Sequence, residues 1–230
     1  MLNNHIIKIL VIVLSCLTSC KEKTEKSPIK DQTNTVKAVA KVKKLPYFNT
    51  PDFTPTWAPD HIELKKIHKI PEFSFTNQLG NTVTNKDLEG KIYIANFFFT
   101  TCPNVCIQLT NNMRKIQTIY ANDDEIKLLS HTVWPSVDTV KVLKEYGERQ
   151  NVNPEKWHLL TGKKEKIYEL AREAYFADDL YKETNDPNRF IHTENLLLVD
   201  KNSHIRGVYS GTKPEEIKRL QRHINLLKKE

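Results

Sequence analysis

Apolar positions change their period along this chain in a way that separates strands from helices. Residues 91–99, Lys-Ile-Tyr-Ile-Ala-Asn-Phe-Phe-Phe, form a nearly unbroken apolar and β-prone run, the pattern of a strand buried on both faces. Val105, Leu109, Met113, Ile116 and Ile119 then recur at close to helical period, which predicts a helix laying one side on a sheet. The alternation continues with a strand over 126–133, a helix over 137–150 with Asp138 and Thr139 as candidate caps, and a short strand over 157–160 ended by Thr161-Gly162. A helix over 164–175 follows, with Ile167, Leu170 and Ala174 inward. Upstream, 73–76 and 82–84 flank a Leu79-Gly80-Asn81 turn and read as a hairpin, and 85–89 form a helical turn closed by Gly90. Downstream, 195–199 and 205–209 make a second hairpin around Asp200-Lys201-Asn202-Ser203, and an amphipathic helix runs from 214 to 228. This order predicts a single α/β domain built on a mixed sheet.

The ends of the chain follow other patterns. The first nineteen residues hold one charge, Lys8, an apolar run over 9–14 and small polar residues before Cys20. That stretch is too short to cross a bilayer, which takes roughly 20 apolar residues, and reads as a secretory signal peptide. Leu17-Thr18-Ser19-Cys20 looks like a bacterial lipobox, which implies cleavage before Cys20 and lipid on its sulfur; Val13-Leu14-Ser15-Cys16 is a second candidate. An exported protein anchored by lipid to a bacterial membrane and facing the periplasm is therefore expected. Residues 46–62, rich in Pro and aromatics, are expected as an extended arm packed on the domain that spans 46–230.

Charge sharpens this division. Of the formal net charge of +7, residues 20–45 carry +5, from eight lysines and three acids, whereas 46–230 hold 26 basic and 25 acidic residues. The basic balance thus belongs to a flexible Lys-rich tether, suited to anionic lipid headgroups. A nearly neutral body without a basic, aromatic-interleaved stripe argues against nucleic-acid binding.

Candidate chemistry concentrates in Cys102 and Cys106, the only cysteines beyond the leader. A strand-like run that meets Thr-Thr-Cys-Pro predicts a strand feeding directly into a helix, with Cys102 as N-cap and Pro103 as the first helical residue. Four apart, the thiols would then share one face near the positive end of the helix dipole, a location that lowers a cysteine's pKa. A purely structural disulfide closing so short a loop would remove little chain entropy. Redox and metal-binding roles both remain open at this point, and the carboxyl end of a central strand is where open α/β sheets place their sites.

The run 96–106, Asn-Phe-Phe-Phe-Thr-Thr-Cys-Pro-Asn-Val-Cys, together with 191–200, Ile-His-Thr-Glu-Asn-Leu-Leu-Leu-Val-Asp, resembles the Sco/SenC family of copper-delivery proteins. So do Ser130-His131-Thr132-Val133 leading into 138–144, and Trp157-His158-Leu159-Leu160-Thr161-Gly162; the resemblance extends over about 70–211. It implies a thioredoxin-like fold, membrane anchoring and delivery of copper to the binuclear copper site of cytochrome c oxidase. It also implies Cys102, Cys106 and His192 as the ligands of one copper, Cu(I) or Cu(II). The oxidase subunit holding that site, with a copper donor or a thiol reductant, would be the partners. Two thiolates and an imidazole suit copper, whereas a closed zinc site lacks its fourth protein ligand. Of the other histidines, His5 leaves with the leader, His61, His68, His158, His204 and His223 lie in polar or surface-like contexts and read as solvated, and His131, on a central strand, is a candidate for support of the site.

The chain departs from the family pattern in three places. Ile107 stands where proline commonly follows the second cysteine, Asn104 replaces the usual acid, and Trp134-Pro135 replaces Asp-Pro. The last removes a carboxylate that could orient a ligand. A thiol-disulfide oxidoreductase, with Cys102 and Cys106 as the redox pair, is the strongest rival, although its usual spacing is Cys-x-x-Cys. A peroxiredoxin-like site would need Thr where Phe99 stands.

Overall fold

The computed structural model describes residues 44–57, 66–103, 105–178 and 193–230. The leader, Cys16, Cys20, the Lys-rich stretch up to 43, His5, His61 and His192 lie outside them. The described residues belong to one compact unit, Lys41–Glu230.

Nine strands form in chain order: β1 (Tyr47–Phe48), β2 (Pro55–Thr56), β3 (Ser74–Asn77), β4 (Thr82–Thr84), β5 (Ile92–Phe98), β6 (Ile126–Thr132), β7 (Trp157–Thr161), β8 (Asn195–Val199) and β9 (Ile205–Ser210). The helices are α1 (Val105–Ile119), α2 (Val140–Arg149), α3 (Lys164–Glu169) and α4 (Pro214–Leu227), with a 3-10 turn at Asn85–Leu88. Seven strands make one mixed sheet in the order β4-β3-β7-β6-β5-β8-β9. The β5–β6 and β6–β7 pairs are parallel, joined by α1 and α2, and the remaining pairs are antiparallel. Around the parallel centre this is the mixed sheet flanked by helices that the hydrophobic pattern predicts, in the thioredoxin-like arrangement that the resemblance implies.

Two cores occupy the two faces of the sheet. Ile92, Ile94, Phe98, Leu128, Trp157, Leu159 and Leu198 face α1, α2 and α4, while Tyr93, Ala95, Phe97, Leu129, Leu160 and Leu197 face α3 and the hairpin residues Phe73, Phe75 and Val83. All seven residues of β5 are buried. Its one polar residue, Asn96, accepts from Ser130 Oγ at 2.5 Å, and Ser130 Oγ in turn accepts from Trp157 Nε1 at 2.8 Å. The three parallel strands thus share a satisfied polar line through an apolar interior.

Several expectations change. In α1 the buried stripe is Cys106, Leu109, Met113 and Ile116, continued by Tyr120; Ile119 is exposed. A step of four from Ile116 keeps the face, and a step of three here turns the side chain to solvent. Residues 164–175 do not continue as one α-helix: after α3 the chain widens into a π-helical turn, Leu170–Ala174, which brings Tyr175 Oη within 3.1 Å of Tyr93 Oη. The arm is a small antiparallel hairpin of β1 and β2 where it is described.

The chain entry is clasped at one end of the sheet. Arg206 donates to the carbonyls of Leu45 and Pro46 and pairs with Asp200 and Glu230. Its guanidinium lies 4.1 Å from the Tyr47 ring.

The described histidines are engaged in the fold. His68 Nε2 bonds the Ala174 carbonyl at 2.7 Å, His204 Nδ1 the His68 carbonyl at 2.9 Å, and His223 Nδ1 the Tyr209 hydroxyl at 2.8 Å. His158 approaches Asn77 at 3.5 Å. His131 is fully buried among Phe73, Phe75, Phe97 and Tyr175, and neither ring nitrogen finds a hydrogen-bond partner among the described residues. Burial holds it neutral, down to about 3.

Because the unfolded chain takes up this proton near the ordinary histidine value and the folded chain does not, stability is full above that value. It falls as pH drops from about 6.5 toward 3, at up to about 1.4 kcal/mol per pH unit. His131→Phe should raise stability at neutral pH by about 1–3 kcal/mol, since it removes two unsatisfied polar atoms, and should flatten the acid limb of urea midpoints measured from pH 7 to 4. An unchanged acid limb would contradict the assignment.

Candidate functional site

The carboxyl end of β5 delivers the chain into the thiol loop. Phe99 to Cys102 form a tight turn in which the Cys102 N–H donates to the Phe99 carbonyl at 3.3 Å. The helix begins at Val105, so Cys102 lies in the loop before it and is not the N-cap. Only Cys106 stands on the first helical turn. The structure carries both as thiols, half-buried at Cys102 and buried at Cys106, with a hydrogen bond between the two sulfurs.

The expected lowering of thiol pKa by the helix end does not hold for Cys106. Burial pushes its thiol up to about 12, and a backbone hydrogen bond with Phe99 offsets only part of the effect. Desolvation of the thiolate under Phe98, Leu109 and their neighbours outweighs a dipole that acts on the first turn only. Cys106 is therefore a protonated, sheltered thiol at neutral pH, and Cys102 is the more accessible of the pair.

Asp138 is the residue whose role the sequence misassigned. Thr139 is the N-cap of α2, accepting from Val142 N–H at 3.4 Å, and Asp138 turns inward to full burial. Its carboxylate accepts from Thr100 N–H at 3.2 Å, from the Thr100 hydroxyl and from the Thr132 hydroxyl. Thr132 Oγ1 also accepts from Trp134 N–H at 3.0 Å. One carboxylate thus ties the turn before Cys102 to the end of β6. Trp134, half-exposed, rests edge-on against Phe99 at 5.9 Å between ring centroids.

On the other side of the thiols, α1 is joined to β8 and β9. Asn112 Nδ2 donates to the Gly211 carbonyl at 2.7 Å, and Gly211 N–H donates to the Glu194 carbonyl at 2.8 Å. A Cβ on Gly211 would strike Leu109 and come within 2.9 Å of that carbonyl, so glycine alone permits this close approach. β8 runs antiparallel to β5, with Tyr93 opposite Val199 and Ala95 opposite Leu197. The start of β8 is therefore at the end of the sheet where β5 gives way to the thiols. His131 is not at this site: β6 alternates, and its ring points to the face opposite Cys106. Among the described residues no group of three or more His, Cys, Asp and Glu gathers that could hold a metal ion.

Residues 63–226 match the SCO1/SenC family model. The chain belongs to the SCO1/SenC family. A SCO1 protein homolog of Bacillus subtilis is 27% identical over 146 residues, 63% of this chain and 75% of that protein. Among solved structures, a SCO1/SenC family lipoprotein from Bacillus anthracis is 28% identical with a TM-score of 0.61, covering 70% of this chain and 95% of that one. An Arabidopsis thaliana ScoI with copper bound is 25% identical with a TM-score of 0.54, covering 70% and 98%. No helix among the described residues of this SCO1/SenC protein is long and apolar enough to cross a membrane.

Alkylation of the reduced protein by iodoacetamide at pH 8, mapped by mass spectrometry, should modify Cys102 first, with Cys106 slower by about 100-fold or more because the thiolate is the nucleophile. Asp138→Asn should destabilise the fold by about 1.5–3 kcal/mol, through loss of charge-assisted bonds, and accelerate Cys106 alkylation at a given pH. Equal rates at the two wild-type cysteines would refute the burial argument.

Proposed function

We propose that this chain carries copper and delivers it to the binuclear copper site of cytochrome c oxidase, binding one ion per chain through Cys102, Cys106 and His192. The observation that carries this reading is the pair of free thiols at the carboxyl end of β5, hydrogen-bonded to each other, at the same end of the sheet where β8 begins three residues after His192. Two thiolates form a soft set that favours Cu(I), and an added imidazole makes the set acceptable to Cu(II) as well. The Arabidopsis relative with copper bound supports the choice of metal. In this reading each bound thiol gives up its proton, and for Cys106 the ion must compensate a high intrinsic pKa. Cys102, the more open sulfur, is the natural first contact and Cys106 the sheltered second one.

The protein is proposed to act on the outer side of a bacterial membrane, held there by lipid on Cys20 through the 20–45 tether. The lipoprotein relative from Bacillus anthracis supports this placement. A second reading, a tethered thiol-disulfide oxidoreductase acting on the oxidase subunit or other exported proteins, is favoured by the unequal exposure of the two thiols, which suits an attacking and a resolving cysteine.

Competitive Cu(I) titration of the reduced protein should give one tightly held ion, abolished by Cys102→Ser or Cys106→Ser and weakened by about 10-fold or more in His192→Ala. Equal copper retention in His192→Ala would remove the third ligand from the proposal. Absent copper binding together with rapid reduction of insulin disulfides would favour the oxidoreductase. Cys20→Ser should move the protein out of the membrane fraction.

A further inference from the structure

Five large apolar side chains are exposed among the described residues: Trp57, Leu79, Ile107, Ile119 and Trp134. Two of them flank the thiols. Ile107, 53% exposed, follows Cys106 in the first turn of α1. Trp134, 48% exposed, leans on Phe99, whose backbone bonds to both cysteines.

The two segments that carry them are uncharged. No Asp, Glu, Lys or Arg occurs in 99–113 or in 128–137, in a chain with 27% charged residues. Burial of β6 explains the inner part of the second segment and none of its exposed part. The side chains that do face solvent there, Thr101, Pro103, Gln108, Asn111 and Ser136, are neutral. The acid that closes the second segment, Asp138, is fully buried, with its oxygens held by Thr100 and Thr132.

We propose that Phe99, Ile107 and Trp134 form an uncharged apolar collar that docks one kind of partner, a protein presenting its metal-accepting residues on an equally uncharged, apolar surface. The inference rests on the copper-delivery reading. An ion that passes between two proteins must lie within bonding distance of donors from both, so an acceptor that reaches half-buried Cys102 has to cover the collar around it. Charge decides the character of that acceptor. An acid or base pressed against this surface would lose its hydration and find no opposite charge in return. A neutral face loses nothing comparable and gains the burial of a tryptophan, a side chain that dominates many protein contacts. The patch is small, which suits a transient complex of the kind that hands over its cargo and separates.

The test uses the full chain, reduced and metal-free or loaded with Cu(I), and as probe the soluble domain of the oxidase subunit that holds the binuclear site, reduced and metal-free. Association is read by calorimetry and transfer by stopped-flow. Trp134→Ala and Ile107→Ala should each weaken association by about 10-fold or more and slow transfer in proportion, with Cu(I) affinity and melting temperature kept. Trp134→Asp should weaken it further than Trp134→Ala. Wild-type association should change by less than about 3-fold between roughly 0.02 and 0.5 M salt, since the two segments that form the collar carry no charge to be screened. Wild-type association and transfer in the Trp134→Ala, Ile107→Ala double variant would overturn the proposal, as would a steep salt dependence. It would equally be overturned if the variants lost only self-association, or only binding to phosphatidylcholine vesicles, because the collar would then serve a second copy or a membrane. Should the wild type hold no copper, the delivery reading fails by itself, and association of the two metal-free proteins still decides whether the collar docks.

Discussion

Everything in this fold is arranged around a strand that has no solvent side. All seven residues of β5 are buried, so both faces of the central sheet must be covered, by α1, α2 and α4 on one and by α3 with the β3–β4 hairpin on the other. A parallel neighbour pairs β5 along its whole length on one edge, and an antiparallel one pairs Tyr93 to Ala95 on the other. The only exit for the chain is the carboxyl end, and there it must turn sharply toward α1. Cys102 sits on that turn and Cys106 just beyond it, on α1. Their surroundings, dry beneath and open above, follow from the topology more than from any local preference of the cysteines.

Dryness below explains the inequality between the two sulfurs. Cys106 belongs to the apolar stripe of α1 and takes on the character of its neighbours, whereas Cys102 lies in the loop and keeps access to water. Helix-end electrostatics, which operate through the first turn, are outweighed by the loss of hydration. The same opposition of hydration and burial acts on His131, on the other face, where it keeps an imidazole neutral in a cage of aromatic rings. Asp138, also buried, is held in place by hydrogen bonds from Thr100 and Thr132. It occupies the interior beside a position, Trp134, where the family pattern leads one to look for an acid, and it braces the two strand ends that frame the thiols.

How much of this was legible in the sequence depends on the range of the forces involved. β5 and α1 were readable because burial imposes a period, and that period survives in Ile92, Ile94, Leu109, Met113 and Ile116. The slip at Ile119 shows its limit, since a three-residue and a four-residue step are equally helical and only packing chooses Tyr120. The π-helical turn left no local mark, because Leu170 and Ala174 satisfy an α-helical stripe as well. Asp138 next to Thr139 looks like a cap pair from sequence alone; which of the two caps and which turns inward depends on Thr100, 38 residues away. Gly211 carried no visible signal, its necessity arising from Leu109 and Glu194. The thiol pair was legible by its isolation. His192 is singled out by its place just before β8 and by the family resemblance, and it lies outside the described residues.

The Arg206 clasp gives the domain a polarity. Leu45 and Pro46 are fastened beside Asp200, in the turn that follows β8, where β5 begins; the thiols stand where β5 ends, a strand length of about 20 Å away. A pull on the chain ahead of Leu45 enters at a guanidinium shared by two carboxylates and two carbonyls, and the parallel strands run from there toward the cysteines. A load on Leu45 therefore meets the guanidinium first and reaches the thiol turn only through the full length of the central strand.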